Sequence, residues 1–471
     1  MNQGTCLNRY VATSELPVSP RDAFAYHERP GCLERLTPPW ERVRVLSSDD
    51  SLEVGSEVIL QAKAAGIPVR WVARHTAYDP PHSFADTQVS GPFSQWDHRH
   101  RFESIAGGST SLTDDITYRL PMAFLGDRLG GWKARQTIEA MFAYRHRITT
   151  DDLSLAAQLP LDPQRIAISG ASGLVGSGFK AMATLLGHQC RDIVRTPAKS
   201  EDEIAVWSDP NEAAKFNEVD IVIHLAGKSI AASRWTTTTK QQIRDSRVEK
   251  TRVLSEALAS CETKPRLLIS ASAIGIYGER GDEELTEASP VADDFLASVG
   301  KDWEAACEPA IRAGIRVVNA RLGIVLSPSG GALQKSLTPA KWFGGRLGSG
   351  RQWWSWVGLD DVLGGLYHII GQDSLSGPVN LTAPQPTRNV DFASELSHAI
   401  RRKPLFPAPG FALRLAMGEM ADALLLASTR VVPNKLIQTG YRFRFPELGD
   451  QLRYCLGKNR KRSDCPPAEK A

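Results

Sequence analysis

The sequence predicts an α/β protein in which a doubly wound parallel sheet follows an antiparallel α+β domain. Two patterns along the chain support this prediction. Before about residue 150, short β-rich runs are separated by clusters of Pro, Gly, Asp and Ser, which is typical of an antiparallel sheet. Beyond that point, apolar runs of strand length alternate with helical segments, which is typical of parallel βαβ units.

Composition narrows the class of protein. The 471 residues are 42% apolar and 23% charged, which describes a chain able to bury a core and excludes wholesale disorder. A net charge of +3 gives no reason to expect nucleic-acid binding. No run of about 18 apolar residues and no apolar signal core occur, so we expect no membrane span and a cytoplasmic location. The seven scattered cysteines contain no Cys-x-x-Cys pair, so free thiols and no structural zinc are expected.

The first domain is predicted to span residues 1–155. A long helical pattern, Trp132–Arg147, closes it and carries Ile138, Met141 and Phe142 on its apolar side. A curved sheet wrapped on this helix would enclose an apolar cavity, so we expect a hydrophobic ligand there. The predicted strands are Trp40–Leu46, Glu57–Ala62, Val69–Tyr78, Phe84–Ser90, Trp96–Phe102 and Ser111–Arg119.

The α/β domain is predicted to span residues 165–384, after a linker at Asp151–Gln164 that contains two prolines. Its predicted helices are Ser177–Leu186, Thr239–Ser260 and Asp293–Ala313. Its predicted strands are Arg165–Ser169, Gln189–Val194, Asp220–His224, Arg266–Ser270 and Arg316–Arg321.

A glycine-rich turn joins the first strand of this domain to its first helix. Gly170 permits the tight turn, Gly173 lets the backbone approach a pyrophosphate, and Gly176 lets the helix pack close to the strand. The helix N-terminus then offers free N–H groups and a partial positive charge to the phosphates. The sequence therefore predicts a dinucleotide site. Besides the three glycines, its residues are Ser172, Leu174 and Val175.

The end of the second strand indicates which dinucleotide binds. An NAD site usually has Asp or Glu there to hold the ribose hydroxyls. This chain has Arg195 at that place, and a guanidinium suits a 2′-phosphate through charge-assisted bidentate bonds. The sequence therefore favours NADP(H) over NAD, with an exposed arginine of no special role as the alternative. Asp192 is expected to lie within the strand.

Further motifs follow along the α/β domain. Together with the glycine turn they include His224-Leu-Ala-Gly227, Trp303-Glu304, Arg321-Leu-Gly-Ile-Val-Leu-Ser327-Pro and Gly377-Pro-Val-Asn380-Leu-Thr-Ala-Pro384. On these motifs the chain resembles the extended and atypical short-chain dehydrogenase/reductases, and among them the sugar-nucleotide-epimerase-like family. The resemblance covers about residues 165–455 and implies a Rossmann fold that binds NADP(H), with Leu225, Ala226 and Gly227 at the cofactor. It also implies a small α+β C-terminal lobe of unassigned function over residues 385–455. The tail, 456–471, is predicted to be disordered.

The first 150 residues or so contain the segments Pro20-Arg-Asp-Ala-Phe24, Gly91-Pro-Phe93 and Trp96-Asp-His98-Arg-His100-Arg-Phe102. On these segments this region resembles the START/Bet v 1-like (SRPBCC) superfamily. This resemblance implies a helix-grip fold with a ligand cavity.

The resemblance to short-chain reductases also implies a catalytic Ser, Tyr and Lys. Ser272 matches the serine that orients the substrate oxygen. Lys301 matches the lysine of Tyr-x-x-x-Lys, but Ala297 stands where the tyrosine is expected. Three alternatives follow. Tyr277 donates the proton in its place, or Ser272, Lys301 or a substrate group relays it, or the domain binds NADP(H) without turnover.

Two further sets of residues are candidates for binding roles. Arg351, beside Trp353 and Trp354, resembles the basic loop that contacts substrate phosphate in nucleotide-sugar epimerases, with an exposed arginine of no binding role as the alternative. His98 and His100 are expected on one face of a strand because side chains alternate. A metal pair would need a third ligand, which the sequence does not locate, so no metal site is predicted.

Overall fold

The computed structural model describes residues 7–41, 43–64, 66–121, 123–342, 344–403 and 406–458. Within them the predicted architecture is confirmed, because an antiparallel sheet with one long helix precedes a parallel sheet with helices between its strands. Of the tail that the sequence predicts to be disordered, residues 459–471 lie outside this description.

The N-terminal domain is a seven-stranded antiparallel sheet with the order β1-β7-β6-β5-β4-β3-β2. Residues of β7 are alternately buried and partly exposed along the strand, as expected when one face of a sheet meets the core. The strands are β1 (Asn8–Leu16), β2 (Arg44–Ser48), β3 (Glu57–Ala64), β4 (Ile67–Asp79), β5 (Ser83–Ser90), β6 (Gln95–Ser104) and β7 (Thr110–Arg119). The helices are α1 (Pro20–Glu28), α2 (Cys32–Leu36) and α3 (Ala123–Gln158).

Helix α3 packs on the buried face of this sheet. Ile138 and Phe142 are buried in one cluster with Trp96, Ile116 and Tyr118, and Met141 packs against it. The predicted apolar side of the helix is therefore confirmed, and in the described residues its side chains contact the aromatic residues of the sheet.

Two predictions for this region need correction. The predicted linker is wrong over residues 151–158, because α3 continues to Gln158. Strand β1 was not predicted, although its residues alternate between partly buried and exposed along the strand. Polar residues occupy most of its positions, so hydrophobic periodicity does not mark it as a strand.

The α/β domain has a parallel sheet with the order β10-β9-β8-β11-β12-β13-β14. The direction of winding reverses between β8 and β11, which is where ligands bind in doubly wound folds. The strands are β8 (Arg165–Ser169), β9 (Gln189–Ile193), β10 (Glu203–Ile204), β11 (Ile221–His224), β12 (Leu267–Ala273), β13 (Arg316–Leu322) and β14 (Gly377–Leu381).

Two helices predicted as single segments are each divided in the structure. The first is interrupted by a turn at Ser246 and Arg247, and the second ends at Ala305, before a new helix that begins at Glu308 with Pro309 in its first turn. The helices are α4 (Leu174–Leu185), α5 (Thr237–Asp245), α6 (Val248–Ser260), α7 (Phe295–Ala305), α8 (Glu308–Arg312), α9 (Gly331–Trp342) and α10 (Leu359–Gly371).

Short elements form the C-terminal lobe and join it to the sheet domain. Its helices are α11 (Asn389–Ile400), α12 (Gly410–Met417), α13 (Glu419–Ala421), α14 (Asn434–Gln438) and α15 (Leu448–Cys455), with a π-type turn at Asp422–Leu426. The short strand pairs are Glu284–Leu285 with Arg430–Val431, Ile324–Ser327 with Trp356–Gly358, Gly344–Leu347 with Phe406–Ala408, and Trp353–Trp354 with Thr387–Arg388.

A buried charge network ties the N-terminal domain to the rest of the chain. Asp152 of α3 has no exposed side-chain surface and accepts two hydrogen bonds of 2.8 Å from Arg35 and one of 2.8 Å from Arg444. Arg35 also donates to Asp360 of α10 at 2.6 Å. Tyr144 of α3 stacks on Tyr454 of α15 in the same region. The N-terminal domain therefore shares a core with the C-terminal lobe.

None of the helices in the described ranges combines the length and apolar character needed to cross a bilayer.

Candidate functional site

The glycine turn lies at the carboxyl edge of the parallel sheet, between β8 and α4. Gly170 has φ +71°, and a side-chain carbon there would lie 3.1 Å from the backbone nitrogen of Ala226. A side-chain carbon on Gly176 would lie 2.2 Å from the carbonyl oxygen of Gly170, so only glycine lets α4 approach this closely. Gly173 precedes α4, and no side chain caps the first turn, so its amide groups can reach phosphate oxygens.

The loop after β11 packs against this turn. Ser169 Oγ lies 2.6 Å from Nδ1 of the buried His224 and accepts hydrogen bonds from the amides of Leu225 and Ala226 at 3.1 and 3.2 Å. Burial lowers the pKa of His224 to about 4, so the ring is neutral near pH 7. Gly227, the next residue, is exposed. The structure thus brings together both predicted cofactor segments at the switch point.

Arg195 follows β9 and is exposed, with no hydrogen bond or ion pair to any residue that the structure describes. Asp192 lies inside β9, as expected, and its Oδ1 is 2.7 Å from Lys180 Nζ. Asp192 is therefore already paired with Lys180, whereas the Arg195 guanidinium has no partner among the described residues. Ser172 is exposed in the glycine turn, while Leu174 and Val175 are partly buried at the start of α4.

Ser272 belongs to a row of polar side chains across three parallel strands. Ser272 of β12 is aligned with Arg321 of β13, and Arg321 with Asn380 of β14. Glu304 of α7 accepts a 2.7 Å hydrogen bond from Ser272 Oγ and two of 2.8 Å from Arg321. The serine hydrogen is thereby directed to a carboxylate whose charge the guanidinium balances.

Tyr277 is at the other end of this row. Its side chain is fully buried, its hydroxyl accepts a 2.8 Å hydrogen bond from Arg321 Nη1, and it donates one of 2.8 Å to Asn380 Oδ1. Burial raises the pKa of Tyr277, with Arg321 opposing part of that shift. The hydroxyl is thus engaged on both sides by the protein in this structure.

Lys301 lies apart from these groups. It is exposed on α7, and its ammonium group makes no hydrogen bond or ion pair to the described residues. Ala297, one turn earlier, is fully buried. The structure therefore brings Ser272 and Tyr277 into one network through Arg321 and leaves Lys301 outside it.

Replacing Tyr277 by phenylalanine tests whether this hydroxyl serves structure. The substitution leaves Arg321 Nη1 and Asn380 Oδ1 without their partner, so we expect a loss of about 1–3 kcal/mol in the free energy of unfolding. NADPH affinity should stay unchanged. Urea denaturation and cofactor titration measure the two quantities, and unchanged stability would show that the hydroxyl has no structural role.

A cleft of about 440 Å³ opens between the segment after β12 and the C-terminal lobe. Trp235, Phe295 and Leu296 supply apolar walls. Among the charged lining residues, Asp422 is 2.9 Å from Arg414, and Glu419, also in the wall, is 2.6 Å from Lys240. The remaining lining carboxylates, Glu279 and Asp294, accept hydrogen bonds from backbone amides. The cleft therefore has no unpaired cation among its described lining residues.

Arg351 is not one of the residues that line this cleft. It is exposed just before the strand Trp353–Trp354, and its carbonyl oxygen accepts a hydrogen bond from Arg388. The side chain forms no hydrogen bond with the described residues. Arg351 is therefore outside both the described cleft wall and the hydrogen-bond network of Ser272.

Sequence reasoning missed the partners of Ser272. Glu304, Arg321 and Asn380 each stand in motifs that carry the family resemblance, but those motifs do not show that the three side chains meet. The signal that could have found them is strand order, because equivalent positions on adjacent parallel strands lie side by side.

Comparison with known protein families divides the chain into three segments. Residues 16–142 match the model for polyketide cyclase/dehydrase and lipid transport proteins, and residues 166–381 match the NAD dependent epimerase/dehydratase family. Residues 408–455 match a domain of unknown function, DUF1731.

Similar curated proteins align with about three fifths of this chain and with nearly their own full length. "Epimerase family protein Mb2239" of Mycobacterium bovis is 41% identical over 297 residues, which are 61% of this chain and 96% of that protein. "Epimerase family protein YfhF" of Bacillus subtilis is 35% identical over 290 residues, 60% of this chain and 95% of that protein.

Two solved structures have related sequences. The nucleoside-diphosphate sugar epimerase from Corynebacterium glutamicum is 31% identical, with a TM-score of 0.77 over 95% of this chain and 90% of that one. Human epimerase family protein SDR39U1 (isoform 2), solved with NADPH, is 28% identical, with a TM-score of 0.57 over 62% of this chain and 99% of that one.

Proposed function

Because the chain belongs to the epimerase family, with a polyketide cyclase-like domain before the epimerase domain and DUF1731 after it, we propose that it is an epimerase-like oxidoreductase that binds NADP(H). The observation that carries the proposal is the uncapped start of α4 behind the glycine turn, next to the unpaired Arg195. The human relative solved with NADPH supports the same cofactor.

The residues around the glycine turn suit a dinucleotide phosphate. The first-turn amides, including those of Leu174, Val175 and Gly176, would hold the pyrophosphate, and Arg195 would hold the 2′-phosphate. Leu225 and Ala226 would flank the cofactor from the neighbouring strand. When bound, NADP(H) supplies or accepts a hydride.

Replacing Arg195 by aspartate tests the cofactor choice. A carboxylate repels a 2′-phosphate and accepts hydrogen bonds from ribose hydroxyls, so we expect the preference for NADPH to be lost or reversed. Fluorescence titration with NADPH and NADH measures both affinities. Arg191→Asp, a partly exposed residue of β9 paired with Glu218, is the matched control and should keep the preference. An unchanged ratio in the Arg195 variant would contradict the assignment.

The charge of the cleft favours a substrate without a phosphate. A nucleoside diphosphate sugar, which the name of the Corynebacterium protein suggests, carries negative charges that need a free cation. The described lining offers instead two carboxylates without a cationic partner and an apolar wall with Trp235 and Phe295. We therefore propose that the substrate is a neutral or cationic molecule with an apolar body.

Ser272 and Glu304 can move a proton. Since Ser272 Oγ donates to Glu304 Oε1, its lone pairs are left for a substrate hydroxyl. When a substrate hydroxyl is oxidised, its proton would pass to Ser272 Oγ while the serine proton passes to Glu304, and both transfers would run in reverse when a carbonyl is reduced. In this proposal Glu304, held by Arg321, does the work that a tyrosine at position 297 would otherwise do.

A second candidate function is a non-catalytic, NADP(H)-responsive protein that couples the cofactor to a ligand of the N-terminal domain. Three observations favour it. Position 297 is alanine, Tyr277 is fully buried, and Ser272 is only 2% exposed. Whether or not the protein is an enzyme, we propose that its N-terminal domain binds a hydrophobic molecule. The match of this domain to a family that includes lipid transport proteins supports the proposal.

Ser272→Ala separates the two candidate functions. Oxidation of bound NADPH is followed by absorbance while carbonyl compounds of apolar character are added. If the protein is an enzyme, the parent should turn over at least one compound and the variant should lose most of that rate, with its NADPH affinity nearly unchanged. Absence of turnover in the parent would favour the responsive protein. Loss of NADPH affinity in the variant would mean that Ser272 serves the cofactor site.

A further inference from the structure

A cluster of histidine and aspartate side chains lies on the covered face of the N-terminal sheet, far along the chain from the glycine turn. We propose that Asp86, His98 and His100 bind one divalent transition-metal ion of the kind that takes nitrogen and oxygen ligands, such as Zn²⁺. The expectation that no metal binds rested on a missing third ligand. The structure supplies that ligand, because a ligating atom of each residue lies within 4.8 Å of the others.

Strand register brings the three residues together. Asp86 of β5 is directly opposite His98 of β6, and His100 lies two residues further along the same face. The distance from His98 Nδ1 to Asp86 Oδ2 is 3.4 Å. Two ligand atoms at about 2.1 Å from one ion in tetrahedral geometry are about 3.4 Å apart, so this spacing already matches a shared ion.

The ring of His98 has the outer support that metal-bound histidines usually have. Its second nitrogen, Nε2, lies 3.1 Å from Oδ1 of Asp114, a buried carboxylate on β7. The other oxygen of Asp114 lies 2.7 Å from Nε2 of His146 on α3, and His146 Nδ1 lies 2.7 Å from Ser14 Oγ on β1. A carboxylate behind the histidine fixes the ring and directs the remaining nitrogen, here Nδ1, toward the ion.

His100 supplies an independent indication of a ligand. The residue is 9% exposed, and its Nδ1 makes no hydrogen bond with the described residues. Asp114 Oδ1 is 2.5 Å from this nitrogen, but the contact lacks hydrogen-bond geometry. A buried nitrogen without a partner costs free energy unless something binds it. In the arrangement without an ion, a protonated His98 lies between the two aspartates, and among the described residues His100 Nδ1 keeps only this misaligned contact with Asp114.

The surroundings indicate what such an ion would bind. Phe84 stacks on His100 with ring centroids 4.1 Å apart, and the ring of Phe142 on α3 is nearly perpendicular to that of His98 with centroids 5.2 Å apart. Three protein ligands leave at least one coordination position for an exogenous oxygen. The site would therefore take a carbonyl or carboxylate oxygen of an otherwise apolar molecule.

Metal binding to the full-length chain, prepared without a histidine tag and dialysed against a chelator, tests the proposal. We expect one Zn²⁺ per chain by elemental analysis and native mass spectrometry. Asp86→Asn and His100→Asn should each weaken Zn²⁺ binding at least tenfold. His82→Asn changes an exposed histidine in the turn between β4 and β5, so it is the matched control and should bind as the parent does.

A second measurement uses only the parent protein, so its outcome does not depend on whether the variants fold. Cu²⁺ bound to the parent should show, in pulsed electron paramagnetic resonance, coupling to the remote nitrogens of two histidine rings. A folded parent that binds no ion, an ion retained by both variants, or Cu²⁺ without histidine coupling would each overturn the site. The cluster would then be a hydrogen-bonded network around a protonated His98.

Discussion

Replacing Asp152 by asparagine is expected to lower the free energy of unfolding by about 3–5 kcal/mol. The change removes the carboxylate that Arg35 and Arg444 share, and both guanidiniums are at most 7% exposed. Without it, among the described residues, Arg35 keeps only its ion pair with Asp360 and Arg444 only a 3.9 Å contact with Asp151. The two buried guanidiniums thus lose the buried carboxylate that balances both of them, which is strongly destabilising. Chemical denaturation followed by tryptophan fluorescence measures the loss.

The matched control is Glu139→Gln, which breaks an exposed ion pair with Arg135 on the same helix. That variant should lose less than about 1 kcal/mol. A loss in Asp152→Asn no larger than in this control would contradict the conclusion that the network ties the N-terminal domain to the C-terminal lobe.

Asp152 is also expected to cause part of the acid dependence of the free energy of unfolding. The two arginines hold the pKa of Asp152 at about 2, below the value of about 3.9 in an unfolded chain. A depressed pKa contributes stability that is present above pH 4 and is lost as the pH falls toward 2. The stability difference between the parent and Asp152→Asn should therefore shrink over that interval. A constant difference would contradict the assigned charge state.

Replacing Gly176 by alanine should abolish measurable NADPH binding. The new carbon would lie 2.2 Å from the carbonyl oxygen of Gly170 and 2.8 Å from its carbonyl carbon, so α4 must move away from the turn. Backbone atoms cannot give way as a flexible side chain can, and we also expect a loss of about 1–3 kcal/mol in stability from overpacking. Fluorescence titration and urea denaturation measure the two effects.

Gly130→Ala is the matched control for this glycine. Position 130 is in α3, and a side-chain carbon there has no atom within 4 Å. That substitution should leave NADPH affinity unchanged and raise helix stability slightly, since alanine favours helices over glycine. If Gly176→Ala bound NADPH as tightly as the parent, the turn would not be the cofactor site.

The features that sequence predicted well are local. The strand, the glycines and the start of α4 are contiguous, so Gly170, Gly173 and Gly176 could be assigned without knowing the tertiary structure. The position of Arg195 after β9 follows from the same unit. Periodicity likewise located the apolar side of α3.

The features that sequence did not predict depend on contacts between distant segments. The sequence places Asp152 in a linker that contains Pro160 and Pro163, yet Asp152 lies in α3 and is buried against Arg35 and Arg444, which are 117 and 292 residues away. Asp86 could not be paired with His98 before the register of β5 and β6 was known. Ser272 likewise donates a hydrogen bond to Glu304 only because α7 packs against β12.

The central claim is that the glycine turn and Arg195 bind NADP(H), and titration of the unmodified protein with both cofactors tests it most directly. We expect NADPH to bind at least about tenfold more tightly than NADH, which corresponds to about 1.4 kcal/mol. Equal affinities for the two cofactors, or no binding of either, would contradict it.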